Sequence, residues 1–239
     1  MKGGNRKPKI ESGKSKVENK KLKIDYQFRE HQCDQYRHMK KLPFSFYRRE
    51  NVLLIAEELI GKVLVTKWKG IKTSGRIVEC EAYNGVIDRA SHAYRGRKTT
   101  RNEIMYEEAA TAYVYICYGI HQLFNVVTNK KGIPHAILIR ALEPLQGIIE
   151  MQKRRGKKLP DHSLTRGPGS LSAALGIRSI HNGVSLHSRK LFIADDGYVP
   201  EKNSLGRSAR IGVGSSGEAA GYPYRFYIKG NPFVSGRPR

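Results

Sequence analysis

The sequence predicts an α+β fold: a single mixed domain in which a curved, largely antiparallel sheet is surrounded by helices. Three observations point there. The 239 residues suit one large domain with a sizeable core. Residues 62–68 and 76–83 show period-two alternation on either side of a glycine-containing turn, which reads as a hairpin. Immediately before them, Val52, Ile55, Ala56, Leu59 and Ile60 recur at helical spacing.

The elements follow in chain order. Residues 1–41 are rich in Lys, Arg, Asn, Gln and Ser and poor in large apolar side chains, too polar to offset chain entropy by burial. They are expected to form a basic, disordered arm before a folded domain over 42–239. A helix over about 50–60 ends at Gly61, and strands at 62–68 and 76–83 flank a turn through 69–75. In the second strand Val78, Cys80 and Ala82 face one way and Glu79, Glu81 and Tyr83 the other. The apolar side belongs in a core. Two carboxylates and a phenol on the opposite side are costly unless solvent, a basic partner or a substrate meets them. That face is a candidate catalytic cleft; the alternative is a solvated strand edge.

Residues 84–112 read as a polar loop carrying Arg89, Arg95, Arg97, Lys98 and Arg101, a density suited to phosphate contacts, although any one of them could be a solvated charge. A strand at 112–118 ends where Gly119 permits a sharp bend that places Tyr118 at a tip, and another strand spans 136–141. Pro144 is placed to start a helix through Ile148, Ile149 and Met151, with a basic end at 153–158. The glycines of Gly167-Pro168-Gly169 would let backbone amides approach a phosphate at the head of a short helix reaching Leu175. Short strands are expected near 191–193, 210–213 and 224–228.

The net charge of +23 is the dominant global property, and such an excess attracts polyanions. Nucleic acid is the natural partner. A membrane surface is the rival, but outside the N-terminal tail no basic amphipathic helix with a bulky apolar face stands out, and no apolar run approaches the ~20 residues of a spanning helix. The N-terminus lacks the apolar core of a secretory signal, so an intracellular location is expected. Cys33, Cys80 and Cys117 have no metal-ligand spacing and read as reduced thiols; no metal and no cofactor is assigned. Thirteen tyrosines offer π-faces for stacking and hydroxyls for orientation, though any one alone fits a core equally well.

Several strings, in order from about residue 44 to the C-terminus, carry a resemblance. They are Gly75-Arg76-Ile77-Val78-Glu79-x-Glu81-Ala82-Tyr83-x-Gly85, Asp88-x-Ala90-Ser91-His92, Arg101-Asn102-x-x-Met105, and Tyr113-Val114-Tyr115-x-x-Tyr118-Gly119 with Asn125-Val126-Val127. Leu138-Ile139-Arg140-Ala141-Leu142-Glu143-Pro144, Gly167-Pro168-Gly169-x-Leu171, Arg210-Ile211-Gly212-Val213, and Arg225-Phe226-Tyr227 with Gly230-Asn231-Pro232 follow. Together they resemble the alkyladenine (3-methyladenine) DNA glycosylase family. The resemblance implies a monomeric, metal-free enzyme of base-excision repair, found with DNA in a nucleoid or nucleus. It would flip alkylated purines, with deaminated or etheno purines as further candidates, out of duplex DNA and hydrolyse the N-glycosidic bond.

The same resemblance assigns roles. Glu81 matches the general base that activates water, with Arg140 beside that water and the Ile211 carbonyl completing its hydrogen bonding. Glu79 is then a structural partner. Tyr83, His92 and Tyr115 match the walls that hold the flipped base, and Asn125 lines the pocket and disfavours guanine. Tyr118, on a protruding hairpin with Gly119, matches the wedge that fills the gap in the duplex; Arg97 and Arg101 are candidate phosphate contacts. Ile120 stands where many members have Met, and His121 where an aromatic is familiar. Two other classes fit parts of the sequence: a nuclease holding Mg²⁺ on Glu79, Glu81 and Asp88, and a basic nucleic-acid-binding protein without catalysis.

Overall fold

The computed structural model describes residues 39–158 and 160–236. The basic arm expected over 1–41 lies outside the described residues except for 39–41. In chain order the elements are β1 (Lys40–Lys41), α1 (Phe44–Tyr47), α2 (Val52–Leu59), β2 (Val63–Trp68), β3 (Ile71–Tyr83), β4 (Ala112–Cys117), β5 (His121–Thr128) and β6 (His135–Gln146). They continue with α3 (Ile148–Arg155), α4 (Pro168–Leu175), β7 (Leu191–Asp195), β8 (Leu205–Ser208) and β9 (Arg225–Ile228). The strands form one nine-stranded sheet in the order β1-β7-β2-β3-β6-β5-β4, with β9 joining β3 to β8. Every pairing is antiparallel. The α+β class with a largely antiparallel sheet is as the sequence predicts.

Strand β3 organises the molecule. Its first half pairs β2, from Val63↔Arg76 to Trp68↔Ile71. Past register shifts around Glu79 the same edge pairs β9 instead, at Glu79↔Tyr227 and Glu81↔Arg225. A bulge bends a strand and re-aims its side chains, and this one brings the C-terminal strand against the two carboxylates.

Alternation then separates two faces of the sheet. Val78, Cys80 and Ala82 of β3, Val114 of β4, Phe124 and Val126 of β5, and Ile137 and Ile139 of β6 join the main core. Helix α2 closes this side: Asn51 caps it by accepting the Leu53 and Leu54 amides, and Val52, Ile55, Ala56 and Leu59 are its buried stripe. Helix α4 packs on β5 and β6. The opposite face carries a smaller cluster of Ala93, Met105, Tyr113, Val127 and Ala136, with Tyr115 packed against it. The loop after β3 folds over this second face through short 3₁₀ turns at Gly85–Ile87, Tyr94–Gly96 and Glu103–Tyr106.

Three sequence expectations are corrected. The turn between β2 and β3 is only Lys69-Gly70, and residues 72–75, expected in the turn, pair with β2 as strand. Pro144 does not start a helix: it lies in β6 opposite Gly75, beside a register shift where a ladder tolerates a residue without an N–H. The helix begins after Gly147, whose φ of +76° turns the chain out of the sheet. Residues 210–213 are not a strand, because the Arg210 side chain and the Ile211 amide are used by Asp88 and Glu81 rather than by a ladder. β5 carries no strand pattern of its own, since His121-Gln122 and Asn125 break its apolar run.

Candidate active site

The second face of the sheet supplies a cavity of about 380 Å³, within the roughly 300–1,000 Å³ of small-molecule sites. Tyr83, Tyr113, Tyr115, Asn125, Leu138 and Arg140 reach it from four adjacent strands, because β-sheet alternation puts them all on one side. His92 arrives from the covering loop, and Ile211 to Val213 from the loop after β8. Tyr118, Cys117 and His121 belong to the β4–β5 hairpin at the cavity's edge.

Glu81 lies directly behind this wall and is fully buried. Three lining residues meet it: the Tyr83 hydroxyl donates to Oε2 at 3.0 Å, the Ile211 amide donates to Oε1 at 2.7 Å, and Arg140 Nη1 forms an ion pair with Oε1 at 3.1 Å. The carboxylate is therefore held in one orientation by groups that themselves face the cavity. Ile211 meets Glu81 through its N–H.

Glu79 is buried too, but its surroundings differ. Its Oε1 accepts from Arg140 Nε, Arg225 Nε and Ser235 Oγ at 2.9, 2.7 and 2.9 Å, and its Oε2 accepts the Ser235 amide at 2.6 Å. Held by these four hydrogen bonds, Glu79 anchors Arg140, which reaches on to Glu81. Burial pulls the Arg140 pKa down, yet Glu81 and Glu79 outweigh it and leave the guanidinium raised above its ordinary value.

The aromatic wall is a connected set. His92 and Tyr115 meet edge-to-face with centroids 4.8 Å apart, and Tyr115 and Tyr113 are 5.3 Å apart. His92 Nδ1 shares a 2.9 Å hydrogen bond with the Tyr113 hydroxyl. Arg101 lies over the Tyr115 ring at 5.1 Å and donates to the Ile116 carbonyl at 3.1 Å. His92 keeps an open side toward the cavity, but burial first and the charges of Arg101 and Arg97 next lower its pKa, so its ring is neutral at physiological pH. Burial, reinforced by Glu81, raises the pKa of Tyr83, and burial likewise raises those of Tyr113 and Tyr115; all three stay protonated donors. Asn125 spends its NH₂ on the Tyr113 and Leu123 carbonyls at 3.1 and 3.3 Å, leaving Oδ1 as its acceptor.

Of the residues singled out in the sequence, Glu81, Tyr83, His92, Tyr115, Asn125, Arg140 and Ile211 are thus brought together. Tyr118 stands on the hairpin tip, 88% exposed, with its own φ at +49° and that of Gly119 at +72°. Arg101 is part of the cavity wall as well as its rim. Arg97 is exposed and does not line the cavity; its carbonyl accepts from Asn102 and the Tyr106 hydroxyl. Sequence reasoning gave no role to Arg225, Ser235 or Arg210, whose partners lie 146, 156 and 122 residues away along the chain. Arg225 and Arg210 do fall inside the recognised strings.

The donor set does not suit a divalent metal. Glu79 is paired to Arg140 and Arg225, Glu81 to Arg140, and Asp88 to Arg210, so each carboxylate of the nuclease alternative already has a fixed cation.

Known proteins share most of this sequence. The model of the Methylpurine-DNA glycosylase (MPG) family matches residues 45–232. A curated relative from Clostridium acetobutylicum, named "Putative 3-methyladenine DNA glycosylase", is 44% identical over 202 residues, covering 82% of this chain and 97% of its own. Relatives carrying the same name from Desulfitobacterium hafniense and Chlamydia felis are each 44% identical, over 204 and 188 residues; they cover 82% and 78% of this chain and 99% and 95% of their own.

Proposed function

Because this chain belongs to the methylpurine-DNA glycosylase family, a family of base-excision-repair enzymes that hydrolyse N-glycosyl bonds in DNA, we propose how its own residues perform that reaction. A damaged purine swings out of the duplex into the cavity between β3, β4 and the covering loop. Tyr83, His92 and Tyr115 hold it, and its sugar C1′ faces a water held on the side of Glu81, Arg140 and Ile211. The observation that carries this reading is the juxtaposition of an aromatic-walled cavity of about 380 Å³ with a carboxylate oriented by three cavity-lining groups.

Glu81 takes the proton of the attacking water as the C–N bond breaks, and its charge steadies the oxocarbenium character of the sugar. Arg140 and the Tyr83 hydroxyl keep the carboxylate aimed. The Ile211 carbonyl accepts the water's second hydrogen, while its amide serves Glu81. An N-alkylated purine is a better leaving group than a normal one, and stacking a cationic base on tyrosine faces adds roughly 0.5–2 kcal/mol. Selection of damage comes partly from this chemistry and partly from Asn125, which disfavours guanine. Alkylated purines are therefore the leading substrates, with hypoxanthine and ethenoadenine as further candidates.

Extraction of the base costs a few kcal/mol of stacking, least for lesioned or mispaired bases. Tyr118 at the hairpin tip offsets it by filling the vacated space from the minor groove, with Gly119 shaping the turn. Arg97 and Arg101 contact the flanking phosphates. The enzyme acts as a monomer, in the cell compartment that holds the DNA.

A duplex carrying one alkylated adenine tests the reading, with release measured by alkali cleavage of the abasic product. The wild type releases base in the presence of excess chelator. Glu81→Gln binds the duplex but releases base at least about 10²-fold more slowly; unimpaired release by that variant removes Glu81 from the role of base.

A further inference from the structure

Asp88 and Arg210 form a buried pair that touches the catalytic groups from behind. Asp88 is 1% exposed and Arg210 is 5% exposed. The pair is bidentate, Arg210 Nη1 to Asp88 Oδ2 at 2.5 Å and Nη2 to Oδ1 at 2.8 Å. Asp88 also accepts the Asn84 and Ala90 amides at 3.0 Å each, which fixes the loop that leads two residues later to His92. Arg210 also donates to the Ala82 carbonyl at 2.8 Å and the Ala219 carbonyl at 3.2 Å. Its guanidinium lies over the Tyr83 ring at 4.7 Å.

Two consequences follow for Glu81. Arg210 immediately precedes Ile211, so fixing its side chain under β3 fixes where the Ile211 amide meets Glu81 Oε1. The same guanidinium backs the Tyr83 ring whose hydroxyl meets Glu81 Oε2. Both hydrogen-bond donors on the carboxylate are thus set by one ion pair, and its acidic member sets the His92 loop as well.

We propose that Asp88 is a positioning residue for base release, acting through Arg210 to hold the Ile211 amide and the Tyr83 hydroxyl on Glu81 while keeping the His92 wall in register with them. Asp88 does not line the cavity. The inference rests on Glu81 as the base. A misplacement near 1 Å of a reacting group costs about 10²-fold in rate, so a clip of this kind controls the rate constant rather than binding.

The test uses the full chain, titrated for active sites, in single-turnover release of an alkylated adenine from duplex DNA. Asp88→Asn, Arg210→Lys, Glu81→Gln and the Glu81→Gln/Asp88→Asn double variant are compared, with duplex affinity measured alongside. Asp88→Asn is expected to lower the rate constant about 10²-fold with affinity retained, and Arg210→Lys, which keeps the charge but not the fork, to fall between it and wild type. In the Glu81→Gln background the Asp88 change is expected to add nothing, because the effect passes through Glu81. A purely structural defect lowers the fraction of active molecules and leaves the rate constant of the remainder unchanged; that result overturns the proposal. Should Asp88→Asn not fold, Arg210→Lys decides alone, and a wild-type rate constant there overturns it. Full release by Glu81→Gln sinks the reading of Glu81 itself, whereas a silent Glu81→Gln beside wild-type rate constants for Asp88→Asn and Arg210→Lys sinks only the clip.

Discussion

Glu79 and Glu81 are two residues apart on one strand, equally buried, and differ in what their partners face. Glu79 is held by Arg140, Arg225 and Ser235 inside the protein. Glu81 is held by groups that line the cavity. His92 offers a test of the charge environment at the same scale. Its lowered pKa means that, as pH falls, the unfolded chain takes up the proton first; stability is lost from about the ordinary value of 6.5 downward and levels off below the folded pKa. In an NMR titration the His92 midpoint should lie below 6.5, and Arg101→Gln should move it upward without restoring it fully, since burial is the larger cause. A midpoint unmoved by Arg101→Gln contradicts the electrostatic contribution. The opposed faces of β3 were legible in the sequence because alternation is local. Of the cations that neutralise the polar face, Arg140 was placed near Glu81 by the family resemblance alone, and Arg225 not at all, since an arginine arriving from 61 or 146 positions away leaves no periodic trace.

Among the elements, the β4–β5 hairpin and the β6–α3 junction make contrasting demands on glycine. A Cβ at Gly119, φ +72°, would meet nothing within 4 Å, whereas one at Gly147, φ +76°, would meet the Lys72 carbonyl at 2.5 Å and Thr73 Cγ2 at 2.7 Å. Gly119→Ala should cost only left-handed backbone strain, about 1 kcal/mol. Gly147→Ala should cost more than about 2 kcal/mol, because strain and collision with β3 add. Urea unfolding of the two variants checks the order, and equal losses contradict it. Tyr118→Ala should leave the unfolding midpoint unchanged, the side chain being exposed, while weakening extrusion of the base, read from a fluorescent base analogue beside the lesion. Helix α2, the strands of the first hairpin and β4 were legible from periodicity and glycine stops. Pro144 misled because its usual place at a helix start competes with a bulge in β6, visible only once β3 is paired. Residues 210–213 misled because branched residues after an arginine read as strand, while here the backbone amide serves a carboxylate.

At the scale of the whole molecule, the net charge of +23 sets how the protein finds DNA rather than which base it releases. Affinity for undamaged duplex should fall linearly on a log–log plot against salt. Arg97→Ala should flatten that line by roughly 0.9 if Arg97 meets one phosphate, with the single-turnover release rate unaffected. No change of slope removes Arg97 from the contact surface. Among the described residues no helix is long and apolar enough to cross a membrane.

The most direct measurement is a crystal structure of Glu81→Gln bound to an uncleaved lesion duplex. The purine should lie between Tyr83, His92 and Tyr115, with Tyr118 in the vacated stack and a water at residue 81 within reach of C1′. A lesion still stacked in the helix, or seated in the cavity with C1′ turned away from a dry residue 81, would contradict it.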